Sequence, residues 1–145
     1  MAMADRTATT IWEGNLPHGS GVVNGASGAL DSLAVTWASR TDRSNGKTSP
    51  EELIAAAHSS CFSMALSNEL GQGGNPPEQL TVTAKVTLDQ KDGAPTVTTS
   101  ELTVTGRVPG IDQSAFEQAA QTAGQNCPIS RALAGVQITV SATLQ

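Results

Sequence analysis

Apolar and polar residues alternate with a period of two over much of this chain, and this pattern predicts β-strands. The clearest case is Leu80–Leu88, where every second residue is apolar, as in a strand with one buried face. The residue pair Asp92-Gly93 favours a two-residue hairpin turn, and the chain returns as a second long strand over Pro95–Val108. Shorter strands are predicted at Thr9–Glu13, Val22–Val23, Leu33–Arg40 and Val136–Leu144.

A helical pattern begins at Ser49 and ends near residue 70. Ser49 is a good N-cap, Pro50 suits the first helical position, and Glu52 would complete a capping box. A second helix is predicted after Asp112 and a short third one at Pro128. This order of elements predicts an α+β fold with a mostly antiparallel sheet. The long helix should turn one stripe of residues to the core, namely Leu53, Ala57, Cys61, Met64 and Ala65.

The length of 145 residues predicts one domain, residues 1–145, because single domains usually contain about 100–150 residues. Aromatic residues make up only 3% of the chain, so the core must be built mainly from Ala, Val, Leu and Ile. A core of such small side chains is thin. We therefore expect a second copy of the chain to complete it.

The net charge is -5 and no basic run is present, which disfavours nucleic acid as a partner. No apolar stretch is long enough to span a membrane, and the first residues lack the basic and apolar regions of a secretion signal. We expect a cytoplasmic protein. In that compartment two cysteines, here Cys61 and Cys127, are more often catalytic, redox-active or metal-binding than a structural disulfide.

The two cysteines occupy different predicted settings. Cys61 lies in the middle of a helix, without the helix start that lowers a thiol pKa, so a reactive thiolate there needs another stabilising group, most simply a cation. Cys127 precedes Pro128 and is predicted as the N-cap of a short helix, where free backbone N–H groups would favour a thiolate. Taken alone, Cys61 is more simply explained as a small apolar residue on a buried helix face and Cys127 as a residue at a helix junction, and the spacing does not show that the two meet.

Several kinds of chemistry remain open for these residues. The absence of CxxC disfavours a thioredoxin-type oxidoreductase. His58 neighbours Cys61 on the helix and would be needed for a Cys/His hydrolase, and a zinc site from both cysteines, His58 and His18 lacks the usual closely spaced cysteine pair. Peroxide reduction by a thiolate and a second, resolving thiol uses both cysteines. The alternative is a non-catalytic, stress-related binding protein with an incidental cysteine pair.

The segments around the two cysteines resemble one family. TSPEELIAAAHSSCFSMAL around Cys61, with RVPGID and NCPISRAL around Cys127, resembles the OsmC/Ohr family of organic hydroperoxide reductases, and more closely its osmotically inducible (OsmC) branch. The resemblance extends from IWEG near the start to the last strand. It implies an OsmC-like fold of mostly antiparallel sheet and long central helices, assembled as an intertwined homodimer with active sites at the subunit interface.

The resemblance also implies roles for individual residues. Cys61 would be the peroxidatic cysteine and Cys127 the resolving one. The Glu that follows Pro in the family's helix-opening motif is Glu51, and the Arg of the OsmC branch is Arg40, on the strand before the helix. Arg43 is its rival, because the intervening loop is slightly longer here. An external dithiol, suggested to be a lipoylated protein, would regenerate the enzyme, and no cofactor or metal is expected.

Helix geometry limits how Glu51 can act. Ten residues separate it from Cys61, about 15 Å along a helix, and a Glu side chain cannot cover that distance. Either Arg40 bridges the two, or Glu51 comes from a second subunit whose central helix packs antiparallel. We expect Arg40, oriented by Glu51, to stabilise the Cys61 thiolate that attacks an organic hydroperoxide.

Overall fold

The computed structural model describes all 145 residues of the chain, which divides into two compact units. The first is Met1–Leu53 and the second Ile54–Gln145. Each unit contains one three-stranded sheet. This division into units does not test the expectation that the chain forms one domain, which stays a prediction.

The first unit is an antiparallel sheet followed by a short helix. Its elements are β1 Ala8–Glu13, β2 Ser20–Gly25, β3 Leu33–Val35 and α1 Trp37–Thr41. The predicted strand Leu33–Arg40 is therefore wrong beyond Val35. Thr36 and Ser39 form a capping box, in which each side-chain oxygen accepts a hydrogen bond from the other residue's backbone N–H. This box starts a helix and places Arg40 on α1 instead of on a strand.

The long helix α2, Pro50–Gln72, begins in the first unit and continues in the second. Ser49 is its N-cap as predicted, since the Ser49 hydroxyl accepts the backbone N–H of Glu52 at 3.1 Å. The other half of the predicted capping box is wrong, because the Glu52 carboxylate accepts the Thr48 hydroxyl at 2.6 Å. The predicted buried stripe is also misplaced. Met64 is 71% exposed. The fully buried residues of this part of α2 are His58, Phe62 and Leu66, each one position after a residue of the predicted stripe.

The second unit contains a mixed sheet covered by helices. Its strands are β4 Gln79–Lys91, β5 Ala94–Arg107 and β6 Gln137–Leu144, and its further helices are α3 Gln113–Asn126 and α4 Pro128–Ala132. The predicted hairpin between β4 and β5 is confirmed, with positive φ at Asp92 and Gly93. The β5–β6 pair is parallel, the one exception to the antiparallel prediction. It needs a crossover connection, which α3 and α4 supply.

The core of the second unit lies between α2, α3 and one face of the sheet. Phe62, Phe116 and Leu102 are among its most buried side chains. Gly106 lets α3 approach β5 closely, since a Cβ at this position would lie 2.5 Å from the Phe116 ring. Cys127 belongs to this core and Cys61 packs against it. None of the helices combines the length and apolar composition required to cross a bilayer.

Candidate functional site

Cys127 forms the junction between α3 and α4. Its backbone N–H donates to the carbonyl of Ala123 at 2.9 Å, and its carbonyl accepts the N–H of Arg131 at 3.1 Å. With φ -57° and ψ 124° it is non-helical, as expected of a residue before proline. The predicted N-cap position is thus confirmed. Its buried side chain makes no capping hydrogen bond, so the expectation that free N–H groups of this helix serve its thiol is wrong.

The structure brings Cys61 and Cys127 together. Both are free thiols, Cys61 half-buried and Cys127 fully buried, and the Cys127 side chain lies close enough to the Cys61 thiol to raise its pKa. The backbone N–H of Ile129, in the first turn of α4, donates to the Cys61 sulfur. The first turn of a helix leaves such N–H groups without a partner in the helix. A thiol in mid-helix therefore receives a donor from the start of another helix, which the sequence did not reveal.

Burial is the main influence on the Cys61 thiol and raises its pKa above the ordinary value of 9.0. The neighbouring Cys127 thiol raises this pKa further, and the N–H of Ile129 lowers it. Burial disfavours the charged form of any ionisable group, so the thiol dominates at neutral pH. None of these influences comes from a cation. The need for one at Cys61, inferred from the sequence, stands.

The first unit contains the second pair of predicted site residues, Arg40 and Glu51. Nε of Arg40 lies 2.7 Å from one carboxylate oxygen of Glu51 and 3.1 Å from the other. The Glu51 side chain is only 10% exposed and that of Arg40 32%. Neither Nη group of Arg40 hydrogen-bonds to the protein. The guanidinium is thus anchored through one nitrogen and keeps donors for another ligand.

Local contacts explain why α1 and the start of α2 meet. The Ser39 hydroxyl on α1 donates to the carbonyl of Thr48 at 2.9 Å, and the Thr48 N–H donates to the carbonyl of Ala34 at 2.9 Å. These bonds close the loop that the sequence placed between Arg40 and Pro50. Arg43 lies in this loop, is exposed and forms no ion pair. Of the two rival arginines, Arg40 is the one paired with Glu51.

His58 is fully buried on α2 and is held by two serine hydroxyls. Its Nδ1 lies 2.7 Å from Oγ of Ser100, and its Nε2 lies 2.8 Å from Oγ of Ser130. Burial lowers the pKa of His58 below its ordinary 6.5. The two serine contacts engage both ring nitrogens of His58. No group of three or more His, Cys, Asp or Glu side chains is placed to hold a metal ion. The sequence pointed to His58 only as a neighbour of Cys61 or a zinc ligand.

Each unit combines strands and helices, and the second unit contains two neighbouring free thiols. The chain is therefore an α+β dithiol protein. The family model of OsmC-like proteins matches residues 43–141, a range that includes Glu51, Cys61 and Cys127 and begins after Arg40. Peroxiredoxin OsmC of Escherichia coli (strain K12) is 43% identical over 122 residues, which cover 84% of this chain and 85% of that protein. The chain belongs to the OsmC-like protein family, and the resemblance seen in its sequence is confirmed.

Solved structures share the fold at lower identity. The organic hydroperoxide resistance protein OsmC of Legionella pneumophila superposes with a TM-score of 0.72 at 22% identity, covering 99% of both chains. The organic hydroperoxide resistance protein OhrB of Bacillus subtilis gives a TM-score of 0.73 at 23% identity, covering 96% of this chain and 98% of its own. The predicted α+β, OsmC-like fold is confirmed.

Proposed function

We propose that this protein is a thiol peroxidase that reduces organic hydroperoxides to alcohols. The observation that carries the proposal is the contact between the half-buried Cys61 and the fully buried Cys127, both as free thiols. The Cys61 thiol is accessible to a substrate, and the buried Cys127 thiol lies beside it. The names of the relatives support the same activity, since the E. coli protein is a peroxiredoxin and the L. pneumophila and B. subtilis proteins are named for organic hydroperoxide resistance.

In the first step the Cys61 thiolate attacks the distal oxygen of the hydroperoxide. A sulfur–oxygen bond forms, the oxygen–oxygen bond breaks, and the alkoxide takes a proton and leaves as the alcohol. Sulfur is oxidised by two electrons to a sulfenic acid, and the peroxide is reduced by the same two. The burial of Cys61 opposes formation of the thiolate, so this step requires a stabilising charge.

In the second step Cys127 attacks the sulfur of the Cys61 sulfenic acid. The disulfide forms, and the hydroxyl leaves as water with the proton of the Cys127 thiol. An external dithiol then reduces the disulfide by thiol–disulfide exchange and is itself oxidised to a disulfide. A lipoylated protein is a reductant of suitable chemistry.

Arg40, held by Glu51, is the cation in this proposal. An adjacent guanidinium lowers a thiol pKa, and the Nη groups of Arg40 are free to donate. The carboxylate of Glu51 orients the guanidinium through Nε. Glu51 cannot reach Cys61 along its own helix. In this proposal the Arg40–Glu51 pair therefore acts on Cys61 either through the long Arg40 side chain of the same chain or from the second subunit.

The surroundings of Cys61 on α2 suit an alkyl group. Phe62 and Leu66 are fully buried in the core, whereas the half-buried Ala65 and the 71% exposed Met64 leave apolar surface accessible within one helical turn of Cys61. An alkyl hydroperoxide gains free energy from covering such surface, and a hydrophilic peroxide does not. The proposed substrate class is therefore an organic hydroperoxide.

The homodimer is part of the proposal. In the first unit Ile11 on β1 pairs directly with Val22 on β2, and these apolar side chains are 64% and 40% exposed. Trp12, on the opposite face of β1, and Leu16 are exposed as well. Adjacent exposed apolar side chains, such as Ile11 and Val22, mark interaction sites. A second copy of the chain is the occupant that also completes the thin core inferred from the composition.

The decisive experiment measures turnover of cumene hydroperoxide with a dithiol reductant. Wild-type protein should consume the hydroperoxide and release the alcohol, and Cys61→Ser should be inactive. The same protein exposed to mild peroxide should lose two hydrogens in intact mass, as the Cys61–Cys127 disulfide forms. Undiminished turnover by Cys61→Ser would refute the assignment. A wild type that neither turns over nor forms the disulfide would favour a non-catalytic binding protein.

A further inference from the structure

His58 is a buried ionisable residue that the proposed peroxide chemistry does not use. Its imidazole is fully buried and connects three elements of the second unit: α2, which carries it, β5 through Ser100 and α4 through Ser130. Ser100 is fully buried in the central strand of its sheet, between β4 and β6. One ring nitrogen is therefore anchored to the centre of the sheet, and the other holds the short helix that follows Cys127.

Two contacts of matching spacing link α2 to α4. His58 and Cys61 are three residues apart on α2, and Cys127 and Ser130 are three residues apart at the start of α4. His58 contacts Ser130 and Cys61 contacts Cys127. Residues at this spacing lie on the same face of a helix, so the two contacts form consecutive rungs between the helices. A shift of Ser130 away from His58 would move Cys127 in the same direction.

An apolar residue of similar size could fill the space of His58 but could not fix α4 in one position. Apolar contacts are non-directional, whereas a neutral imidazole presents one donor and one acceptor in the plane of its ring. The lowered pKa of His58 agrees with this neutral state. Burying such a ring is unfavourable unless its nitrogens find partners, and here both do. The arrangement resists small movements of α4 that a purely apolar contact would permit.

We propose that His58 is a positioning residue that holds Ser130 and thereby keeps Cys127 and the N–H of Ile129 against Cys61. The inference rests on the proposed function, because the reaction that benefits is the closure of the Cys61–Cys127 disulfide. Cys61 and Cys127 remain the reacting groups. His58 acts on them only through α4.

The test is the equilibrium of the Cys61–Cys127 disulfide in dithiothreitol redox buffers, which needs no hydroperoxide. Ser130→Ala should lower the equilibrium constant for disulfide formation about tenfold, the effect expected when a buried hydrogen-bond partner is lost. Ser130→Thr restores the hydroxyl and should recover most of the wild-type value. In a His58→Phe background, Ser130→Ala should cause no further change, because the shared contact is already absent.

Ser63→Ala is the matched control. Like Ser130→Ala it removes a serine hydroxyl, but this one lies on α2 and donates to the carbonyl of Ser60 within that helix. An equilibrium constant within twofold of wild type in Ser130→Ala, or an equal decrease in Ser63→Ala, overturns the proposal. Far-UV circular dichroism establishes that each variant is folded, and if His58→Phe is not, Ser130→Ala against Ser130→Thr decides alone. A wild type that is inactive towards hydroperoxides but shows these shifts would refute the proposed function and not this role.

Discussion

Arg40 contacts Glu51 through its Nε, at 2.7 Å and 3.1 Å from the two carboxylate oxygens. A guanidinium usually pairs with a carboxylate through two nitrogens, which would occupy more of its donors. Pairing through Nε alone leaves both Nη groups for another anion. The arrangement is that of an anchored cation, and it distinguishes Arg40 from the exposed Arg43.

Replacing Arg40 by Met should slow the reaction of Cys61 with cumene hydroperoxide about 10²-fold, the typical effect of removing one stabilising donor. Without the guanidinium, the N–H of Ile129 would be the one group that opposes the burial raising the pKa of Cys61. Stopped-flow measurement of hydroperoxide consumption checks this. Arg43→Met is the control and should stay within about twofold of wild type. The reverse order of the two variants would make Arg43 the active-site cation.

Cys127→Ser should still react with hydroperoxide but should not form the disulfide. Without a resolving thiol, the Cys61 sulfenic acid is exposed to further peroxide and proceeds to sulfinic and sulfonic acids. Intact mass after peroxide treatment should show added oxygen in this variant, where wild type shows the loss of two hydrogens. A Cys61 that remains an ordinary thiol in Cys127→Ser would count against the resolving role of Cys127.

The pH profile of Cys61 alkylation should move to lower pH in Cys127→Ala. The neighbouring thiol of Cys127 raises the pKa of the Cys61 thiol, and Ala has no such group. Only the thiolate reacts with iodoacetamide, so the rate rises with pH through the pKa. Peptide mapping separates Cys61 from the fully buried Cys127 in wild type. An unchanged or higher apparent pKa in the variant would contradict the observed contact between the thiols.

His58 should make stability depend on pH below its ordinary pKa of 6.5. Because burial lowers the folded-state pKa, the unfolded chain binds more protons between 6.5 and that lower value. The free energy of unfolding therefore decreases as pH falls through this window and levels off below it. Urea unfolding at about pH 8 and about pH 5 should show a larger loss in wild type than in His58→Asn. Equal losses would mean that His58 does not titrate differently on folding.

Ile11→Lys should weaken the proposed homodimer. A lysine at this position would place a charge within the exposed apolar surface that includes Val22, and burying an unpaired charge is strongly unfavourable. Sedimentation velocity should show a dimer for wild type and a larger monomer fraction for the variant. Thr83→Lys adds the same charge at an exposed position of β4 and should remain dimeric. A monomeric wild type would refute the dimer.

Local signals in the sequence predicted most of the elements. Asp92-Gly93 marked the hairpin, Ser49-Pro50 the start of α2, and Cys127-Pro128 the α3–α4 junction. Each signal depends on the backbone preferences of a few adjacent residues. The prediction failed at Arg40, where period-two alternation suggested a strand, because Thr36 and Ser39 cap each other across a helical turn. A capping pair one turn long outweighed the alternation.

The predictions for α2 illustrate a second limit. Helical periodicity identified the correct element but placed its buried stripe one residue away from the observed one, leaving Met64 exposed. The difference arises because small residues surround the true stripe, so hydrophobicity alone does not orient the helix. Packing against Phe116 and Leu102 in the second unit decided the orientation. It also buried His58, a polar residue that no hydrophobic pattern would place in a core.

The sequence by itself determined the α+β class, the two cysteines and their separate settings, because these follow from local backbone preferences and residue identity. Only the tertiary structure decided that Cys61 lies against Cys127, that Ile129 donates to the Cys61 sulfur, and that His58 contacts Ser130. These partners lie on helices far apart in the chain. The packing of α2 and α4 in one unit selects which free donors and thiols meet, and this selection is not encoded in the spacing of either segment.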